Sequence, residues 1–259
     1  MVGPDLDGLP ALMPITRSRL LAAAKSIFRA MGLEVSFAGT ASTQQNVLRS
    51  LFRRRSFTSV LDVGANAGQY GLLIRDCGYR GPIISFEPLA AAHARLLATA
   101  AGDPHWIVAA RAALGAGPAK TLINVAANSV SSSLLGMTSR HLEVEPQSQY
   151  ARTEEIEVVA LDDCFERYAG TTAGALLKID AQGYEMEVLR GARHCLSAKI
   201  DVVQTELSLV ELYENQALMH EVCSYLKEFD FRLRDIIPGL KDARDGQLLQ
   251  LDGIFVKER

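Results

Sequence analysis

The sequence predicts an α/β protein with a mostly parallel sheet, and three observations carry that expectation. Residues 58 to 88 read as an apolar strand, a glycine turn, an amphipathic helix and a second apolar strand ending in an acid. Two later apolar runs, L-L-K-I-D at 176–180 and D-V-V-Q-T-E at 201–206, also end in acids. Helical spacings separate these runs, which is the alternation that builds parallel sheets.

The stretch 58–88 organises the rest. Val60, Leu61 and Val63 suit a buried strand, and Gly64, Gly68 and Gly71 follow closely, with Asn66 between the first two. Tyr70, Leu73, Ile74 and Cys77 then fall at helical spacing, and Ile83, Ile84 and Phe86 lead to Glu87. Such a turn lets backbone approach a ligand, and an acid at the next strand tip can accept hydrogen bonds from ribose hydroxyls. The dinucleotide fingerprint is incomplete, because Asn66 holds the place of its second glycine. Asp62, just before the turn, would also repel a pyrophosphate and attract a cationic amino group. S-adenosylmethionine carries an ammonium, a sulfonium, a carboxylate and a ribose. In this reading Asp62 faces the ammonium, the turn amides hold the carboxylate, and Glu87 holds the ribose. The plainer alternative has Asp62 capping the turn and Glu87 as an ordinary strand-end acid.

The bulk numbers narrow the class. With 259 residues, 48% hydrophobic and 22% charged, the chain has material for a substantial core. A net charge of -3 gives no electrostatic case for nucleic acid, and the run Arg53 to Arg55 reads as a solvated helix end. Cys77, Cys164, Cys195 and Cys223 have neither zinc spacing nor the density of a disulfide scaffold, which points to reduced thiols in the cytoplasm. No segment reaches the apolar length of a membrane span or the pattern of a signal peptide.

In chain order, residues 1 to 15 hold three prolines and two glycines and read as a loose end. A helix is expected over Thr16 to Met31, a short extended piece over Val35 to Phe37, and a second helix carrying Val47, Leu48, Leu51 and Phe52, capped by Thr40 or Ser42. This preface, residues 1–56, is set apart from a catalytic domain at 57–259. It suits plain packing, a lid, a homo-oligomer surface or a lipid contact. Beyond Pro88, a helix is expected with Leu89, His93, Leu96 and Leu97 near one face, His93 having a packing role. Trp106 to Ala109 reads as the third strand, with Ala112 and Ala113 as small walls for an adenine ring. Residues 114 to 126 read as a hairpin turning through Gly115 and Gly117. The serine-rich loop Asn128 to Ser133 either lines a pocket or is simply solvated. Residues 136 to 154 read as a polar irregular excursion containing His141, and Ile156 to Val159 as an edge strand.

Lys178 is a charge inside an apolar strand and needs a partner, with Asp180 and Glu185 available. Glu87, Asp180 and Glu206 converge on one mouth if their strands are parallel. Residues 207 to 213 read as a lid or a packed turn, 217 to 227 as a helix, and the strands from Phe229 and Leu249 as an antiparallel pair closing the sheet.

The chain resembles the FkbM family of S-adenosylmethionine-dependent methyltransferases. The resemblance rests on D-V-G-A-N-A-G at 62–68, F-E-P at 86–88, L-L-K-I-D-A-Q-G-Y-E at 176–185, V-L-R-G-A at 188–192, Q-T-E at 204–206 and L-D-G-I-F at 251–255. It covers roughly residues 57 to 257. It implies a seven-stranded class I methyltransferase fold and methylation of a hydroxyl on a sugar, glycolipid or polyketide-type product. Gln182 stands where the family commonly has glutamate. The cofactor residues expected are Asp62, Gly64, Asn66, Gly68, Glu87, Pro88 and Ala112. Asp180, Glu206 and His141 are the candidate bases, with Lys178 beside them. A cation bridging Asp180 and Glu206 lacks a compact ligand motif. An NAD-dependent oxidoreductase and a non-catalytic nucleotide-binding protein are the alternatives. A cytoplasmic or membrane-peripheral setting is expected.

Overall fold

The structure, a computed structural model, describes residues 43–258. The helix expected at Thr16 to Met31, the extended piece at Val35 to Phe37 and the capping residues Thr40 and Ser42 lie outside them. The helix Thr43–Arg54 carries Leu48, fully buried, with Val47, Leu51 and Phe52 packed around it. Its partners in that core include Val60, Ile74, Val202 and Ile254, and one compact unit begins at Thr43.

Ten strands follow. They are β1 (Val60–Val63), β2 (Ile83–Phe86), β3 (Trp106–Val108), β4 (Ala113–Leu114), β5 (Ala119–Ala126), β6 (Tyr150–Val159), β7 (Ala175–Ile179), β8 (Ile200–Ser208), β9 (Phe231–Pro238) and β10 (Gln250–Lys257). Seven of them form one sheet in the order β3-β2-β1-β7-β8-β10-β9. The pairs β1 with β2, β1 with β7, β2 with β3 and β7 with β8 are parallel, while β10 runs antiparallel to both β8 and β9. This is the expected class I methyltransferase plan, with the closing antiparallel strand in place. The order reverses between β1 and β7, so the crevice beyond their carboxyl ends is where such a sheet binds ligands.

Alternation along the strands explains the layers. Leu61, Ile84, Leu177 and Val203 share one core with Phe165 of the helix Leu161–Ala169 and Val188 of the helix Glu185–Arg190. Val60, Ile83, Leu176 and Val202 face the other way, onto Ile74 of the helix Gln69–Asp76 and Leu96 of the helix Ala90–Ala100. That second helix leaves Leu97 half exposed, so Leu97 does not share the inward face expected for it. The helix Leu161–Ala169 has no counterpart in the sequence reading.

The segment 113–159 departs furthest from expectation. β4 and β5 do not pair as a hairpin. They flank β6, β4 in parallel and β5 antiparallel. β6 begins at Tyr150 and is the centre of this three-stranded sheet, not an edge strand from Ile156. Its inward residues Ile156 and Val158 are buried against Ala113, Ile123 and Val125, and that burial holds β4 and β5 on either side of it. The excursion before it contains the short helix Ser139–Val144.

The first turn is fixed by close packing. Gly64 has φ +75°, and a Cβ there would lie 1.8 Å from the carbonyl oxygen of Asp180. We therefore expect Gly64→Ala to cost about 2 kcal/mol or more in urea unfolding, strain and clash acting together. A wild-type midpoint would mean that this turn does not rest on the end of β7.

Candidate active site

One cavity of about 380 Å³ opens over the crevice between β1 and β7, within the size range of small-molecule sites. Asp62, Gly64, Asn66, Glu87, Pro88 and Ala112 line it, as do Lys178 and Asp180. Gly68 does not. At φ +94° it starts the helix Gln69–Asp76, close to Thr99, Leu96 and Trp106.

The turn differs from expectation in what it offers. Every amide from Gly64 to Gly68 is already committed within the protein. Gly64 N and Ala65 N donate to Phe86 O, and Gly68 N donates to Ala65 O. Asn66 N donates to Glu87 Oε2 at 2.9 Å, and Ala67 N to Gln69 Oε1. The expected amide grip on a ligand carboxylate therefore gives way to a wall of acceptors. A pyrophosphate finds no free donors in this turn, while a cationic ligand meets carboxylates and carbonyls.

A polar row crosses the buried sheet beneath the cavity. Asp62 stands laterally opposite Ser85 on one side and Lys178 on the other, and Lys178 stands opposite Gln204. Trp106 Nε1 donates to Ser85 Oγ, which donates to Asp62 Oδ2. Tyr70 OH donates to Gln204 Oε1, and Gln204 Nε2 donates to Asp252 Oδ2. Lys178, 5% exposed, reaches Asp180 Oδ2 at 3.1 Å and lies over the Tyr70 ring. Glu185, the other expected partner, instead accepts from the amides of Ala181 and Gly183.

The acids divide electrostatically. Burial pushes Asp62 up to about 6 despite Lys178 and the Ser85 hydroxyl. Burial pushes Glu87 up to about 7, against the pull of the Leu89 and Asn66 amides. Burial would also raise Asp180, but Lys178 and the Gln182 amide hold it below the ordinary aspartate value. Glu206 moves the opposite way, raised by burial and by Asp180, Glu185 and Asp252. Burial alone would lower Lys178, yet Asp180, Asp252 and Asp62 keep it above the ordinary lysine value.

Glu206 and His141 do not line the cavity. Glu206 sits behind Gln182, accepting from Gln250 Nε2 at 2.8 Å. Gln182 Nε2 donates to Asp180 Oδ1 at 2.7 Å and lies 3.5 Å from Glu206 Oε2, so an amide nitrogen fills the point between the two carboxylates. His141 is buried edge-on to Tyr213, 4.9 Å between ring centres, where burial lowers its pKa. That places it in the packing behind the site. Tyr213 is fully buried in a packed turn held by the Gln216 side chain.

Some lining residues, Asp252 and Ile123 among them, carry no site role in the sequence reading, while the loop Asn128 to Ser133 takes the pocket-lining side of its two readings. Asp252 on β10 faces the same cavity, and so do Ile123, Ser129, Val130 and Ser132 from the three-stranded sheet and its loop. The loop is stapled to the site by Ser133 Oγ donating to Gln182 O at 2.6 Å. Leu-Asp-Gly at 251–253 was the available signal for Asp252. The run of hydroxyls marked the loop as lining a pocket or solvated, and the β5–β6 pairing, which no local signal shows, brings it to the cavity.

The fold and this acceptor-lined cavity define a class I methyltransferase site. Buried Asp62 and Glu87 line it, with the small side chains of Ala112 and Ala113 beside them. A model of the FkbM methyltransferase domain matches residues 62–233, well over half of the chain. The chain belongs to the FkbM methyltransferase family, and its cofactor is S-adenosylmethionine. Among solved structures it is similar to an FkbM methyltransferase from Methylobacillus flagellatus KT, with 16% identity and a TM-score of 0.45. The alignment covers 77% of this chain and 44% of that one, so this chain spans less than half the length of that relative. It is also similar to fibrillarin from Aeropyrum pernix, solved with natively bound S-adenosyl-L-methionine, at 12% identity and a TM-score of 0.43, covering 82% and 74% of the two chains. A TehB-like methyltransferase from Corynebacterium glutamicum matches at 11% identity and a TM-score of 0.39, covering 93% and 98%. No curated protein matches the sequence significantly.

The raised acids give a signed pH dependence. The folded, ligand-free protein retains protons on Asp62 and Glu87 that the unfolded chain has released. Their cost to stability is absent below about pH 4 and complete above about pH 7. A cationic ligand bearing ribose hydroxyls favours the ionised forms. S-adenosylhomocysteine affinity should therefore rise between about pH 5.5 and 7.5, by up to about tenfold per pH unit for each proton released. Calorimetry in buffers of different protonation enthalpy measures that release. A flat affinity across this window would remove Asp62 and Glu87 from ligand contact.

Proposed function

We propose that this protein transfers a methyl group from S-adenosylmethionine to a hydroxyl of a sugar, glycolipid or polyketide-type small molecule. The observation that carries the reading is Asp180, held ionised by Lys178 at the cavity's edge, on the strand end where this fold presents ligands. When bound, the cofactor supplies an electrophilic methyl on a cationic sulfur. The residues at the turn, Glu87 and the small walls at Ala112 and Ala113 fix its position, which supplies most of the alignment that the displacement needs. Asp180 accepts a hydrogen bond from the acceptor hydroxyl. As the hydroxyl oxygen takes the methyl that the bound cofactor would supply, leaving the thioether, its proton passes to Asp180 and on to water. An oxygen gaining a methyl becomes strongly acidic, so a carboxylate of low basicity suffices, and Asp180 is ionised throughout the neutral range.

The acceptor is a small molecule by the same reading, with family membership as its support. The four free thiols support a reducing, cytoplasmic setting. Among the described residues no helix is long and apolar enough to cross a membrane.

Calorimetry should show binding of S-adenosylhomocysteine and little binding of NAD, and the reverse preference would overturn the cofactor assignment. Asp180→Asn should lower single-turnover transfer of labelled methyl by roughly 10²-fold or more. Its S-adenosylhomocysteine affinity should stay close to wild type, while its melting temperature should fall, because Lys178 loses its ion-paired partner. Near-normal transfer would take Asp180 out of the reaction.

A further inference from the structure

We propose that Gln182 is a positioning residue that keeps Asp180 aimed and charged for the acceptor hydroxyl, with Tyr213 fixing which end of the amide does so. The inference rests on the reading that Asp180 meets that hydroxyl. Gln182 occupies a left-handed backbone conformation, φ +51°, which turns its side chain back across the end of β7. Non-glycine residues adopt this region at a cost, so the position is held by its surroundings. Two anchors are visible. Ser133 Oγ donates to its carbonyl at 2.6 Å, and Tyr213 OH donates to its Oε1 at 2.6 Å. A phenol that donates must meet the amide oxygen, so the amide NH₂ is left facing the acids. It donates to Asp180 Oδ1 at 2.7 Å, while Lys178 holds Oδ2. Both carboxylate oxygens thus receive a donor, and the ionised form is the one such donors favour.

The surroundings make that donor consequential. Asp180 is faced by Asp62 from β1, Glu185 from the following helix, Glu206 from β8 and Asp252 from β10, with Lys178 as the single cation beside them among the described residues. Each of these acids disfavours a charge on Asp180. The amide stands between it and Glu206. A carboxylate at 182 would keep the Tyr213 hydrogen bond and the side-chain shape but present an oxygen to Asp180 Oδ1.

Gln182→Glu is therefore the informative variant, with Tyr213→Phe as a second that leaves residue 182 untouched. The measurement is single-turnover methyl transfer against pH at saturating S-adenosylmethionine and acceptor, with S-adenosylhomocysteine affinity and melting temperature measured alongside. In Gln182→Glu the acidic limb of the profile should move up by about one pH unit, a loss of about tenfold on that limb that is recovered at alkaline pH. Tyr213→Phe should move the limb the same way by less, through the rate and not through KM. Both should bind S-adenosylhomocysteine within about twofold of wild type, a difference under about half a kcal/mol. An unmoved limb in both variants, or an equal loss at every pH with a lowered melting temperature, would overturn the inference and leave Gln182 a structural residue. Near-normal transfer by Asp180→Asn would instead overturn the reading beneath it.

Discussion

The buried ammonium of Lys178 is the constraint on which the site depends. A lysine in the middle strand of a parallel sheet, 5% exposed, is tolerated only when charge comes to meet it. Three carboxylates do, from three strands: Asp62 on β1, Asp180 just beyond β7 and Asp252 on β10. The register makes this possible. Side chains two residues apart on β7 point the same way, so Lys178 can bond Asp180, and the lateral pairing sets Asp62 beside it. One cation thereby holds one acid ionised at the cavity edge, while the acids farther from it, Asp62 and Glu206 among them, are driven by burial toward keeping their protons.

The same arithmetic of charge explains the choice of ligand. With the turn's amides spent within the protein, the turn and the acids beside it offer the cavity acceptors and no free backbone donor. Such a lining repels phosphate and welcomes a sulfonium and an ammonium. The glycine turn therefore works by close backbone packing, Gly64 against Asp180, and not as an anion cradle. Over this floor, the three-stranded sheet and its serine loop bring Ile123, Val130 and Ser132 to the cavity. Ser133, bonded to Gln182, ties that wall to the side chain that holds Asp180.

The sheet was legible in the sequence because its central strands are buried on both faces and so read as short, mostly apolar runs. The strand-end acids were legible for the same reason, as charges that interrupt those runs. Asp62, Glu87, Lys178 and Asp180 all line the cavity, and the Lys178–Asp180 pair is one of the two pairings the sequence offered. What could not be read was set by distant pairing. β6 separates β4 from β5, a placement decided by burial of Ile156 and Val158 and invisible in the local turn signals around Gly115 and Gly117. His141 offered attractive chemistry as a residue type, but packing against Tyr213 puts it behind the site. Glu206 lies inside β8, two residues short of its end at Ser208, with Gln182 between it and the cavity-facing Asp180.

The central claim is that Lys178 sets the charge state of Asp180. Carbon-13 NMR of aspartate carboxyl groups, with the Asp180 resonance assigned by its loss in Asp180→Asn, measures this directly in wild type and in Lys178→Met. The account predicts that Asp180 titrates below the ordinary aspartate range in the wild type and moves up in the variant, where only the Gln182 amide still opposes burial and the neighbouring acids. The same titration midpoint in both proteins would contradict it.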